Sequence, residues 1–208
     1  MGTSKDFWDK TADKYAASPV SDQATYERKL AQTQALFRAD MKVLEFGCGT
    51  GSTAIEHAPH VAHIDAIDVS DRMIEIAREK AAAAGITNVE FTAGTLDTLD
   101  GADASYDVVL GLNVLHLVED RRGALATVAR LLKPGGAFVS STVCLGGSFL
   151  RMIRWLVPLG KAIGMMPDVY VLTEAEFAEE VRDAGFTIED QWHHGKNGLA
   201  VFMVARKP

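Results

Sequence analysis

The chain has little cysteine, no excess of basic charge and no long apolar run, and each shortage excludes a class of function. Its two cysteines among 208 residues, Cys48 and Cys144, lie too far apart for a metal-ligand or redox motif. Cys48 reads as a small turn residue and Cys144 as packing, so no metal is expected. Lys and Arg number 21 against 28 Asp and Glu, for a formal net charge of −7 and a pI near 5.3. Binding a nucleic-acid backbone needs a clustered basic face, so the balance favours a small-molecule substrate over nucleic acid. No stretch offers the roughly twenty apolar residues of a membrane span. Met1 to Lys10 is polar and charged, without the apolar run of a signal peptide. The expectation is a cytoplasmic protein with no integral membrane segment, large enough for one domain with a sizeable core and a small lid.

What is present centres on Val43-Leu44-Glu45-Phe46-Gly47-Cys48-Gly49-Thr50-Gly51. An apolar strand runs into a turn with glycines at alternate positions, where a ligand can approach the main chain closely. A helix starting at Ser52 would aim free N–H groups at that ligand. Asp68 ends the next apolar strand, and a carboxylate roughly twenty residues past the turn suits the two hydroxyls of a ribose. The combination implies an adenosine-containing cofactor. The dinucleotide fingerprint requires G-x-G-x-x-G, but Ser52 stands at the third glycine's place and Gly51 comes one residue early. A nicotinamide-dependent oxidoreductase stays open as an alternative, because Asp68 suits either cofactor.

The remaining sequence alternates. Two helical patterns, Lys5–Ala16 and Ser21–Phe37, precede strands near Lys42–Phe46, Ala62–Asp68, Asn88–Thr92, Tyr106–Leu110 and Ala137–Thr142. Helices over Ser52–His57, Asp71–Ala84 and Glu119–Leu131 fill most gaps, with Asp71 read as an N-cap and Gly85 as the glycine after the helix. Lys133-Pro134-Gly135-Gly136 reads as a helix stop before the fifth strand. A capped helix from Thr173 to Ala184 leads into two last strands, Phe186–Trp192 and Leu199–Ala205, joined by the turn Gly195–Gly198. This is an α/β domain with a largely parallel sheet ending in an antiparallel hairpin. Ligands of such sheets sit beyond the carboxyl ends of the strands, where Glu45, Asp68, Thr95 and Asn113 all fall.

From Met41 to Thr142 the chain resembles the class I S-adenosylmethionine-dependent methyltransferases. The glycine loop, Ile67-Asp68-Val69-Ser70-Asp71-Arg72-Met73, Phe91-Thr92-Ala93-Gly94-Thr95-Leu96, Gly111-Leu112-Asn113-Val114-Leu115-His116 and Leu131-Leu132-Lys133-Pro134-Gly135-Gly136 match its motifs in order. The resemblance implies a Rossmann-like three-layer sandwich with a seven-stranded sheet of order 3-2-1-4-5-7-6. It implies S-adenosylmethionine as methyl donor and S-adenosylhomocysteine as product. Glu45, Gly47, Cys48 and Gly49 would form the loop around the methionine end, with Asn113 beneath it. Asp68 would hold the ribose, Val69 and Met73 would flank the adenine, and Thr95 and Leu96 would lie at its edge. Thr95 departs from the family, which commonly places an acid there, and Asp97 reads as a solvated turn residue. A non-catalytic cofactor-binding protein is therefore a further alternative. Phe7-Trp8-Asp9 with Tyr15 resembles the opening of small-molecule methyltransferases, so residues 1–40 would cover the site and residues 41–208 form the methyltransferase domain.

No catalytic residue is assigned. His116 reads as packing or cofactor-side, and His193 and His194 as turn or rim residues. Tyr15 is a candidate substrate contact. An apolar insertion at about 143–172, with Arg151, Arg154 and Trp155, would overhang the site as a lid. Arg151 and Trp155 are its candidate substrate contacts, which favours an apolar or aromatic acceptor. A plain packing helix, a homodimer contact and a membrane-surface helix are the competing readings of the same insertion.

Overall fold

The structure, a computed structural model, describes residues 4–99, 101–147 and 167–208. Seven strands form one sheet of order β3-β2-β1-β4-β5-β7-β6. They are β1 (Lys42–Phe46), β2 (His63–Asp68), β3 (Val89–Ala93), β4 (Tyr106–Leu112), β5 (Leu132–Val143), β6 (Thr187–His194) and β7 (Ala200–Arg206). Strands β1 to β5 pair in parallel, while β7 lies antiparallel to both β5 and β6. The architecture is the Rossmann-like sandwich with a terminal antiparallel hairpin.

Both faces of the central strands are buried, which is why β1, β4 and β5 read as nearly continuous apolar runs. Alternation along each strand divides the core in two. Leu44, Phe46, Val109 and Phe138 face α5 (Arg121–Leu131) and α6 (Glu174–Asp183). Val43, Ile64, Leu110, Val139 and Phe202 face α3 (Ser52–His57) and α4 (Asp71–Ala83). The N-terminal helices α1 (Ser4–Ala17) and α2 (Gln23–Gln34) lie outside this sandwich. On α1, Ala12 packs with Met73 and Ile76 of α4, and Trp8 and Ala16 close the cluster.

Several boundaries differ from the sequence reading for identifiable reasons. The N-cap of α4 is Ser70, whose hydroxyl accepts from the Met73 N–H at 3.1 Å, so Asp71 is the first helical residue. Helix α5 starts at Arg121 because the Asp120 carboxylate accepts from the Gly123 N–H, which leaves Glu119 in the preceding loop. Lys133-Pro134-Gly135-Gly136 belongs to β5 as a bulge, since Tyr106 pairs with Leu132 and Val108 already with Ala137. The bulged segment keeps strand character through bonds to the C-terminal end: Gly135 N–H donates to Lys207 O and Lys207 N–H to Gly136 O, each at 2.9 Å. Thr173 and Glu176 form the expected reciprocal cap of α6. No helix among the described residues is long and apolar enough to cross a membrane. Arg151, Arg154 and Trp155 lie outside the described residues.

Candidate active site

The turn after β1 takes its shape from left-handed glycines. Gly47, Gly49 and Gly51 have φ of 66°, 53° and 72°, a region that costs other residues about 1–2 kcal/mol. Space is also short: a Cβ on Gly47 would stand 2.4 Å from Val114 Cγ2, and one on Gly51 2.7 Å from the Phe91 ring. The loop thus packs tightly against β3 and the segment after β4. A Cβ on Gly49 would instead meet nothing nearer than Tyr15 Cε1 at 3.9 Å, so the main chain there stands open to a ligand. On α4, Lys80 pins the loop from below by donating to Ser52 Oγ at 2.7 Å and Thr50 Oγ1 at 3.2 Å.

Asp68 joins this loop to the end of β2. Its Oδ2 accepts from the Gly49 N–H at 2.8 Å and its Oδ1 from the Ser70 N–H at 2.9 Å. Withdrawal from water raises its pKa, and the Asp9 carboxylate adds to the effect, against those two hydrogen bonds. The carboxylate is held in one orientation with acceptor capacity left over, beside a cleft of about 510 Å³.

Eight of the ten cofactor candidates line that cleft: Gly47, Gly49, Asp68, Val69, Met73, Thr95, Leu96 and Asn113. Glu45 and Cys48 do not, because both side chains are buried. Burial, with the nearby Asp68 charge second, pushes the Glu45 carboxyl up to about 8, and its Oε2 has no hydrogen-bond partner. Burial also raises the Cys48 thiol, with the Glu45 and Asp68 charges adding to the effect. The Thr95 hydroxyl is engaged with Thr98 in a capping box around a 3₁₀ turn. Asp97, read as a solvated turn residue, is exposed and lines the cleft as well.

Helix α1 forms the near wall. Trp8 and Tyr15 stack edge to face with ring centroids 6.3 Å apart, and both line the cleft. Tyr15 is 55% exposed, a large ring over an open site. Desolvation, followed by the Asp68 charge, raises its phenol above the ordinary value, so it stays protonated at neutral pH. The far wall is Leu112, Val114, Leu117 and Val118, followed by Glu119 and Asp120. These residues were missing from the sequence-derived site, although the apolar run after β4 carried the signal. His116 does not line the cleft. Burial lowers its pKa to about 4, and its Nδ1 has no partner. His194, read as a rim residue, instead places Nε2 3.0 Å from the buried Ser141 hydroxyl.

The donor set fits S-adenosylmethionine. The open main chain at Gly49 can receive its methionine end, Asp68 its ribose, and Val69, Met73 and Leu96 its adenine. Ser52 stands where a dinucleotide loop needs glycine, and its hydroxyl is occupied by Lys80.

Comparison with known proteins points the same way. The sequence model of the methyltransferase domain family matches residues 43–136. The methyltransferase YcgJ of Bacillus subtilis, itself uncharacterised, is 36% identical over 49% of this chain and 40% of its own. By motif and by fold the chain is similar to the class I S-adenosylmethionine-dependent methyltransferases. A demethylmenaquinone methyltransferase of Tropheryma whipplei is 34% identical over 73% of this chain and 65% of its own. The chain thus spans from two-fifths to under two-thirds of the length of these curated relatives. Among solved structures, YcgJ superposes with a TM-score of 0.71 at 19% identity, covering 87% of this chain and 98% of its own. The [4+2]-cyclase SpnF superposes with a TM-score of 0.74 at 21% identity, covering 92% and 85%. At those identities the likeness is one of fold.

Proposed function

We propose that this methyltransferase-family protein transfers a methyl group from S-adenosylmethionine to a small apolar or aromatic acceptor in the cytoplasm. The observation that carries the reading is Asp68, bonded to the Gly49 N–H at 2.8 Å so that ribose site and glycine loop form one wall of one cleft. S-adenosylmethionine supplies a methyl on a sulfonium, which is already a good leaving group. The protein's part is then to hold the acceptor in line and keep water out, and orientation of this kind contributes about 7–11 kcal/mol in favourable cases. Trp8, Tyr15, Leu117 and Val118 provide apolar walls for that purpose. The name of the menaquinone-pathway relative supports an aromatic acceptor.

No histidine among the described residues lines the cleft, and Tyr15 is held protonated. A general base would add typically about 10²–10⁴-fold, so positioning outweighs it here. One sequence-derived alternative keeps a structural footing. The Thr95 hydroxyl is spent on Thr98, which weakens the adenine contact and supports a non-catalytic binder, and SpnF carries another activity on the same fold. Against that, the carboxylate of Asp97 lines the cleft beside Thr95 and can accept from an adenine amino group.

Calorimetric titration with S-adenosylmethionine, S-adenosylhomocysteine and NADH tests the reading. Micromolar binding of both sulfur compounds is expected, with none for NADH. Asp68→Ala should weaken binding about 10–100-fold, the worth of hydrogen bonds to a charged group. Selective NADH binding would overturn the reading in favour of an oxidoreductase.

A further inference from the structure

Among the described residues at the cleft, Asn113 is tied by side-chain hydrogen bonding to the half of the sheet beyond β4. Its backbone is left-handed, φ 59°, which is uncommon outside glycine. Two hydrogen bonds to β5 hold it there. Its N–H donates to Ser141 O at 2.7 Å, and its Oδ1 accepts from Ser141 Oγ at 2.9 Å. Ser141 is fully buried, and the same hydroxyl lies 3.0 Å from His194 Nε2 on β6. The imidazole reaches across β7 because its partner in the ladder is Ala200, a small residue. Trp192 packs against the ring at 5.4 Å. Lys29 and Asp22 are the charged groups of the α2 region that face it, and burial is the chief cause holding its pKa down to about 4. The neutral ring carries a single N–H.

One hydroxyl proton between two partners gives the chain a direction. With Ser141 donating to Asn113, its oxygen must accept from His194 Nε2–H. The Asn113 carbonyl is thereby turned toward Ser141, which leaves the amide N–H₂ directed away from β5 at the cleft that Asn113 lines. Asp68, Thr95 and Leu96 mark the adenosine end over β2 and β3, so Asn113 stands at the opposite end, where the methionine end of the cofactor and the acceptor meet.

We infer that Ser141 and His194 are positioning residues that fix the Asn113 amide with its N–H₂ toward the acceptor, so that the acceptor presents a hydrogen-bond-accepting oxygen, such as a carbonyl or phenolate, beside the atom to be methylated. This rests on the methyltransferase reading and adds a specificity device supplied by β5 and β6. Ser140 provides an internal control. It is equally buried, points to the opposite sheet face, and its hydroxyl has no hydrogen-bond partner.

The test uses protein loaded with S-adenosylhomocysteine and two probes of matched shape, 2-acetylnaphthalene and 2-ethylnaphthalene, followed by calorimetry. Only the first carries an accepting oxygen. The expected result is about a tenfold preference for the carbonyl probe, the worth of one such hydrogen bond. The preference should vanish in Asn113→Asp, Ser141→Ala and His194→Leu, and survive in Ser140→Ala. His194→Gln retains an N–H donor and should restore it, which a packing role would not. Nitrogen-15 shifts of His194 should report the Nε2–H tautomer in the wild type. No preference for the carbonyl probe, a preference that persists in His194→Leu, or an Nδ1–H tautomer would overturn the inference and leave the methyltransferase reading intact. Failure to bind S-adenosylhomocysteine is the distinct result that removes that reading, and the inference with it.

Discussion

Gly47 carries two constraints in one position, a left-handed backbone and a wall formed by Val114. The two can be separated. Gly47→Ala should destabilise the protein by about 2–5 kcal/mol, from roughly 1–2 for the backbone and 1–3 for overpacking. Adding Val114→Ala removes the Cγ2 contact but leaves Val114 Cβ 2.6 Å from the new methyl and the backbone strained, so the double variant should recover only part of the loss in a urea melt. Full recovery would mean that neither the backbone nor the Val114 Cβ resists the methyl, and no recovery that the Val114 methyls are not the obstacle. Residues of this kind were legible in the sequence because chain connectivity alone places them: a strand, a turn and a carboxylate at the end of the next strand form a site wherever the fold forms. Glu45 and Cys48 show the limit of that logic. They belong to the same motif, yet both side chains are buried, Glu45 at the end of β1 and Cys48 within the loop itself. Ser141 and His194 were illegible for a different reason. They meet only because an antiparallel β7 passes between their strands, and nothing in local spacing encodes that pairing.

At the scale of elements, α1 is attached to the sandwich through polar contacts around Asp9. The carboxylate accepts from Ser70 Oγ at 2.6 Å and from the Arg72 N–H at 3.2 Å, and it pairs with Lys5 at 2.6 Å. Lys5 also reaches Asp71, and Arg72 reaches Asp13. Ser70 is itself the N-cap of α4, so one carboxylate links the two helix starts that flank Asp68. Asp9→Ala leaves the Ser70 hydroxyl and the Arg72 N–H short of a partner, at a cost of about 1–3 kcal/mol. Hydrogen exchange in α1 should accelerate strongly while β1 and β4 remain protected, and S-adenosylhomocysteine should bind more weakly because Trp8 and Tyr15 form the near wall. Uniform acceleration across the sheet would show instead that α1 is integral to global folding. The order of the elements was readable from the alternation of periods, but their ends were not. Caps such as Ser70 and Asp120 compete with acidic neighbours that look equally suitable, and only the hydrogen-bond geometry selects between them. Lys133–Gly136 reads as the helix stop before the fifth strand, and α5 does end at Leu131, but Lys207 supplies the segment with partners from the other end of the chain that make it part of the strand.

For the molecule as a whole, buried ionisable groups set opposing dependences of stability on pH. His57 and His116 are held neutral by burial, with pKa values lowered to about 3 and about 4. The unfolded chain binds more protons at these positions, so stability rises with pH until the ordinary histidine value of 6.5 is passed. Glu45 acts in the other direction. Its folded pKa of about 8 lies above the ordinary 4.5, so from pH 4.5 to 8 the folded protein holds a proton that the unfolded chain has released. Stability therefore falls as pH rises through that window and levels off above it. Between pH 6.5 and 8 the histidine contribution is complete, and Glu45 sets the remaining slope. Chemical denaturation of the ligand-free protein should show a decline across this interval of at most about 1.4 kcal/mol per pH unit for each such group. Glu45→Gln keeps the shape and removes the charge, so its curve should run flatter and lie above the wild type at pH 8. Curves that remain parallel would mean that Glu45 is ionised in the folded protein at neutral pH and has found a partner for Oε2. In that case the buried acid would stand ready as an anion beneath the glycine loop, and the cofactor would meet two carboxylates, Glu45 near its methionine end and Asp68 at its ribose.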